Sequence, residues 1–193
     1  MRILLAGLLG GIAMFVWTSI AHMATPLAAI GFSQMRHEQV VLGAMKQGVG
    51  EKPGLYFFPW VDPNDPKMKE KSAALMKTNP SGMMIYQPAG ASFGMGPLLI
   101  KEFAKELAQS LLAAFLLSLT LLTGYVARVG FVAAVGVFAA LSTDVSYWIW
   151  YGFPTDYTLA VITIELVGAV AAGLAIAAIL KPKSNAYGRA AGS

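Results

Sequence analysis

The sequence predicts an all-α integral membrane protein: a four-transmembrane-helix bundle with a small mixed helix/strand extracytoplasmic cap between helices one and two. Three observations lead there. Only 12% of the 193 residues are charged and the mean hydropathy is +0.61, where soluble domains carry about 25% charge. Several apolar runs approach or pass the ~18 residues that mark a membrane span. Between the first and second runs the composition changes: residues 23–97 hold eight of the ten prolines and half of the charges.

Residues 1–22 are expected to form the first helix. Its apolar run, Ile3 to Ala21, follows Arg2 and precedes Ala21-His22-Met23-Ala24, which together have the outline of a secretory signal. The run is longer than a signal core of about 7–15 residues, so a retained transmembrane helix is expected. Gly7, Gly11, Thr18 and His22 share one stripe. The spacing of Gly7 and Gly11 is the one that lets two helices approach closely.

Residues 23–97 read as the cap. Gln34 to Lys46 has a short helical pattern stopped by Gly48 and Gly50. Leu55 to Phe58, between Pro53 and Pro59, reads as a strand. Asn64-Asp65-Pro66 is expected to cap a helix running to about Lys77, and Met83 to Tyr86 to form a second strand. A cysteine-free segment of 75 residues is small for independent stability, so the cap is expected to lean on the helix ends.

Residues 98–180 supply the other three spans. Pro97 opens the second helix, whose first turns carry Lys101, Glu102, Lys105 and Glu106 before an apolar part from Leu107 to Val126. Arg128 is expected to mark a tight turn. The third helix then runs from about Gly130 to Trp150, the turn from Tyr151 to Tyr157, and the fourth helix from there to Leu180. Residues 181–193 form a polar, glycine-rich cytoplasmic tail.

Charge gives an orientation. With four spans, Arg2, Arg128, Lys181, Lys183 and Arg189 fall on one side, while the 151–157 turn has no Lys or Arg. The positive-inside rule then places both termini in the cytoplasm and the cap outside, since long loops are largely exempt from it. Lys101 and Lys105 run against this bias, accompanied by Glu102 and Glu106. The net charge of +4 is scattered, without the clustered basic surface of a nucleic-acid binder.

The sharpest chemical signal is a pair of intramembrane acids, Asp144 and Glu165. At 1.5 Å per helical residue, Asp144 lies about 10 Å before the turn and Glu165 about 12 Å after it, so antiparallel neighbours hold them at one depth. Ala133, Gly136, Ala140, Asp144 and Tyr147 form one stripe, and Glu165, Gly168, Ala172 and Ala175 another. Small residues beside each acid mark packed faces, and an acid at that depth must face protein or water. The pair is either a proton or cation site or a structural element bonded to His22, Lys105, Tyr147, Thr143 or Thr163.

Other sites are weaker. His22 with Met23, and Met35 near His37, offer imidazole and thioether ligands that suit copper(I). Eight of the ten methionines lie between Met23 and Met95, but without a repeat, and Met is an adaptable packing residue. No metal site is expected. Tyr147, Trp148, Trp150, Tyr151 and Tyr157 form an interfacial aromatic cluster that could touch a quinone, a lipid or a pigment; an aromatic belt explains it without a ligand. The absence of cysteine excludes disulfides and thiolate-bound metals. Neither a phosphate-binding loop, a nucleophile elbow nor a zinc-protease motif occurs, so no enzyme and no cofactor is expected.

Four blocks carry a resemblance: Arg2-Ile3-Leu4-Leu5-Ala6-Gly7, Pro80-Ser81-Gly82, Ala127-Arg128-Val129-Gly130-Phe131, and Tyr147 through Thr155. Together they resemble a family of small bacterial inner-membrane proteins with four predicted transmembrane helices. The resemblance implies a bacterial inner-membrane location and brings no activity, cofactor or catalytic residue. The expected role is a non-enzymatic structural or accessory subunit of a membrane complex, in contact with lipids and with other membrane subunits or copies of itself. The alternative is a small proton- or cation-coupled transporter or channel using Asp144 and Glu165.

Overall fold

A computed structural model describes residues 1–91 and 94–181. Among these residues lie six α-helices and one two-stranded sheet: α1 (Arg2–Ala24), α2 (Glu38–Gly48), β1 (Gly54–Phe58), α3 (Met68–Thr78), β2 (Gly82–Tyr86), α4 (Met95–Leu119), α5 (Tyr125–Tyr151) and α6 (Thr155–Ile179). They divide into two units. One comprises α1, α4, α6 and α5 through Trp148; the other comprises the segment from Phe32 onward between α1 and α4, together with Ile149–Gly152.

Three helices, α1, α5 and α6, are long and apolar enough to cross a membrane. The sequence leads one to expect four such runs. α4 has the length, at 25 residues, but Lys101, Glu102, Lys105 and Glu106 interrupt its apolar character.

α1 is the centre of the helical unit and packs along both α4 and α6. Its glycines explain how. A Cβ on Gly7 would lie 2.8 Å from the Leu111 Cα, and one on Gly11 would lie 2.9 Å from the Leu107 Cα. These are backbone atoms that cannot yield, so the α1–α4 approach requires glycine at both positions. Gly10 serves both neighbours, since an added Cβ would run into the Ser110 hydroxyl of α4 and stand 2.8 Å from Ile176 of α6. The pairings run in opposite order along α1 and its two partners, so α4 and α6 are both antiparallel to it. Trp17 donates to the Ile164 carbonyl at 2.8 Å, and Phe15 meets Phe103 edge-to-face. The core gathers Ala6, Met14, Ala113, Leu117, Val132, Ala172 and Ile176. Four of its nine buried members are alanines, which let the helices approach closely while Met14, Leu117, Val132, Ile176 and Leu180 fill the space between them.

α5 touches α6 where glycine permits. A Cβ on Gly136 would lie 2.6 Å from the Ala169 Cβ, and Gly173 backs onto Val129 and Val132. Only Arg128, Val132 and Ala140 of α5 are buried.

Several boundaries differ from the sequence expectation. α4 stops at Leu119, where extended Thr120 donates its hydroxyl to the Leu117 carbonyl at 2.8 Å, although the sequence stays apolar to Val126. α5 begins at Tyr125, so Arg128 belongs to its first turns and not to a link. The α5–α6 turn is shorter than expected and relies on Gly152, at φ +69°, a left-handed conformation that glycine adopts freely.

The second unit carries the expected helix–strand–helix–strand order. β1 and β2 pair antiparallel with Leu55 opposite Ile85, Tyr56 opposite Met84 and Phe57 opposite Met83. The Tyr56 and Tyr86 rings meet edge-to-face, and Tyr86 donates to the Gly50 carbonyl at 2.9 Å. α3 starts at Met68, later than the Asn64-Asp65-Pro66 cap implies. Asp65 instead accepts from the Lys67 N–H at 2.8 Å in a local turn, and its carboxylate pairs with Lys71.

Candidate functional site

A polar level with four charged side chains crosses the helical unit, and its most buried member is Glu106 of α4. Glu106 has no exposed surface. Its Oε1 lies 2.6 Å from the Thr18 hydroxyl of α1, and Thr18 Oγ1 also lies 3.0 Å from the Met14 carbonyl. One hydroxyl proton cannot serve both acceptors fully. A proton on the Glu106 carboxyl would let the two bonds form in series, Glu106 to Thr18 and Thr18 to Met14. The second carboxyl oxygen, Oε2, is buried and has no hydrogen-bond partner among the described residues. One turn along α4, the Ser110 hydroxyl is also buried and unpartnered among them.

Lys105 gathers the acids around it. Its Nζ lies 2.8 Å from Glu102, 3.8 Å from Glu165 of α6 and 3.9 Å from Glu106. One ammonium therefore serves three carboxylates from two helices. Lys105, Glu102 and Glu165 are each partly exposed, so each of their ion pairs contributes at most about 1 kcal/mol where water reaches them. The Thr18–Glu106 bond counts for more, because a buried carboxylate cannot fall back on solvent.

Asp144 and Glu165 line the same open-sided cleft of about 420 Å³, between α4, α5 and α6. Its walls also carry Lys105, Ser110, Gln109 and Thr143, with Gly136, Ala140, Ala169 and Ala172 as the small residues beside the acids. Of the stripes read on the third and fourth helices, Gly136, Ala140 and Asp144 and, opposite them, Glu165 and Ala172 line this space, whereas Gly168 packs against Met14 and Trp17 of α1. Glu165 is held by Lys105, while Asp144 has no ion pair among the described residues.

The other expected partners are engaged elsewhere. The His22 Nδ1 lies 2.9 Å from the Thr18 carbonyl of its own helix, and Thr163 donates to the Leu159 carbonyl at 2.7 Å. The Tyr147 ring stacks on Phe153 at 5.6 Å, and the Phe153 and Tyr157 rings meet tilted at 5.6 Å. Trp148 donates to the Thr155 hydroxyl at 3.1 Å. These contacts tie the end of α5 to the start of α6, and Trp150 is exposed. No group of three or more His, Cys, Asp or Glu residues suited to a metal occurs among the described residues.

Sequence reasoning missed Glu106. It read Lys101 to Glu106 as charges at the mouth of a helix, spaced three and four apart. A signal was available: Thr18 shares a stripe with Gly7 and Gly11, and a stripe that closes on a neighbouring helix brings its hydroxyl to that helix.

No family model, curated protein or solved structure matches this chain.

Proposed function

We propose that this chain is a non-enzymatic accessory subunit of a membrane complex, in which four membrane-crossing helices anchor an extramembrane unit that docks on a partner protein. The observation that carries this reading is an uncovered apolar face on the β1–β2 ribbon. Leu55 and Ile85 are paired in register and point to the same side, as does Phe57. They are 64%, 76% and 44% exposed. Among the described residues of this unit only Tyr86 is buried, and a two-stranded ribbon is marginal in water on its own. Covering the three side chains would contribute roughly 1.5–3 kcal/mol each.

Four crossings are part of the proposal. The end of α4 and the starts of α1 and α5 line one small cavity together with the end of α6, so α4 spans the same depth as its antiparallel neighbour α1. Lys105 and Thr18 compensate the acids that make α4 look too polar to cross. The bacterial inner membrane, with both termini cytoplasmic, is the matching location.

Two experiments test it. Cysteine at Ala73 should react with an impermeant reagent added outside intact cells, while cysteine at Thr123 should react only after permeabilisation. Labelling of both from the same side means that α4 does not cross. A photo-crosslinking residue at Ile85 should form one discrete adduct with a membrane protein identified by mass spectrometry, lost in Leu55→Ser. Absence of any such adduct overturns the accessory role.

A second reading, a proton- or cation-coupled transporter, is favoured by the open-sided cleft that Asp144, without an ion pair among the described residues, lines together with Glu165. Purified protein in liposomes under a pH or cation gradient would then show flux that Glu165→Gln removes. Such flux would replace the accessory reading.

A further inference from the structure

A second cavity, separate from the acid cleft, lies at the opposite end of the helices. It measures about 190 Å³ and is lined by Ile3, Leu117, Ser118, Thr120, Leu122, Arg128, Leu180 and Lys181. Four chain segments meet there: the start of α1, the end of α4, the first turns of α5 and the end of α6.

Its chemistry is one-sided. Arg128 is only 5% exposed, and its Nη2 is buried with no hydrogen-bond partner among the described residues. A guanidinium is charged at any physiological pH and carries five donors. A buried charge without a counter-ion is among the costliest arrangements a protein can hold. No Asp or Glu lines the cavity, and neither Arg128 nor Lys181 has an ion pair among the described residues. The hydroxyls in the wall are already committed: Ser118 donates to the Phe115 carbonyl at 2.6 Å and Thr120 to that of Leu117 at 2.8 Å. What the cavity offers is therefore two cations, one of them buried, among apolar side chains.

An oxyanion attached to an apolar body fits that description. We propose that this cavity binds the phosphate of an anionic phospholipid headgroup, with Arg128 as the principal contact and Lys181 as the outer one. The volume is several times the ~30 Å³ share of one water molecule. Arg suits the site because its planar fork takes two phosphate oxygens at once. The apolar wall of Ile3, Leu117, Leu122 and Leu180 receives the start of the acyl chains, which a free anion would leave uncovered. Location agrees: Arg2, Arg128 and Lys181 share the end assigned to the cytoplasm, where basic pockets between membrane helices meet acidic headgroups.

The test uses the full chain purified in a neutral detergent, with thermal unfolding read as lipid is added. Short-chain phosphatidylglycerol should raise the melting temperature saturably. Phosphatidylcholine, whose phosphate is already compensated by the choline cation of its own headgroup, should do so far less at the same concentration. Arg128→Gln should weaken the apparent affinity for phosphatidylglycerol at least about tenfold, the equivalent of one charge-assisted hydrogen bond, while Arg128→Lys retains part of it. If Arg128→Gln does not fold, Lys181→Gln carries the test with an expected loss of about fivefold. Equal responses to the two lipids, or an unchanged affinity in a folded Arg128→Gln or Lys181→Gln variant, would overturn the assignment. Stabilisation by inorganic phosphate without any by phosphatidylglycerol would overturn the lipid as the source of the anion.

Discussion

Replacing Thr18 by valine is the most direct probe of the buried acid, because it removes one hydroxyl and changes little else in shape. In the native arrangement Glu106 has one short hydrogen bond, 2.6 Å from Thr18, while its Oε2 has none among the described residues. Valine would leave both carboxyl oxygens without a hydrogen bond in a site with no exposed surface. A hydrogen bond to a charged group contributes about 1.5–3 kcal/mol in soluble proteins. Between membrane helices the measured average is nearer 0.6 kcal/mol, with a maximum near 1.7. Complete burial and the short distance place this bond at the upper end, so Thr18→Val should destabilise by about 1–2 kcal/mol. Glu106→Leu removes the acceptor, and Thr18→Val should then cost little. The double-mutant cycle, read by denaturant unfolding in mixed micelles, should give a coupling of at least about 1 kcal/mol. Additivity within about 0.3 kcal/mol would show that Thr18 and Glu106 do not depend on one another, and the account of how α4 is held would fail.

Glycine substitutions should separate positions fixed by a neighbour from those that are free. Gly11→Ala must push against the Leu107 Cα at 2.9 Å and should lower stability by about 1–3 kcal/mol, as overpacking does. Gly43→Ala, within α2 and with nothing inside 4 Å of the new Cβ, should raise it by about 0.5–1 kcal/mol through helix propensity. Thermal unfolding of both variants checks the opposite signs. In the extramembrane unit, Lys71 and the Lys67 N–H hold the Asp65 carboxyl below its ordinary 3.8. Because the folded value is the lower one, this stabilisation is complete above the ordinary value and is lost as the pH falls through the depressed one. An NMR titration of Asp65 should show that depression and its reduction in Lys71→Ala.

Much of the fold could be read in the chain because the signals are local. A helix of membrane length needs only an uninterrupted apolar run, so α1, α5 and α6 were legible within a few residues. The two strands were legible because Pro53, Pro59, Gly82 and Pro88 bracket short apolar runs. The break at Thr120 was not, since Leu121 and Leu122 continue the apolar pattern while the Thr120 N–H and hydroxyl both donate to the Leu117 carbonyl at the helix end. The stripe of Gly7, Gly11 and Thr18 announced a close helix contact but could not name the partner.

The site divides the same way. By itself the sequence set Asp144 and Glu165 on two consecutive helices joined by a short turn, because two apolar runs and a Gly-Phe-Pro link suffice for that, and both acids line one cleft. Only the tertiary structure decided that Glu106 is the most buried acid and that Lys105 reaches across to Glu165. Charges three and four apart on a helix look alike whether they face water or protein. Their surroundings are set by which helix comes close, and here the bare backbone of Gly7 and Gly11 brings α4 near enough for Thr18 to meet Glu106.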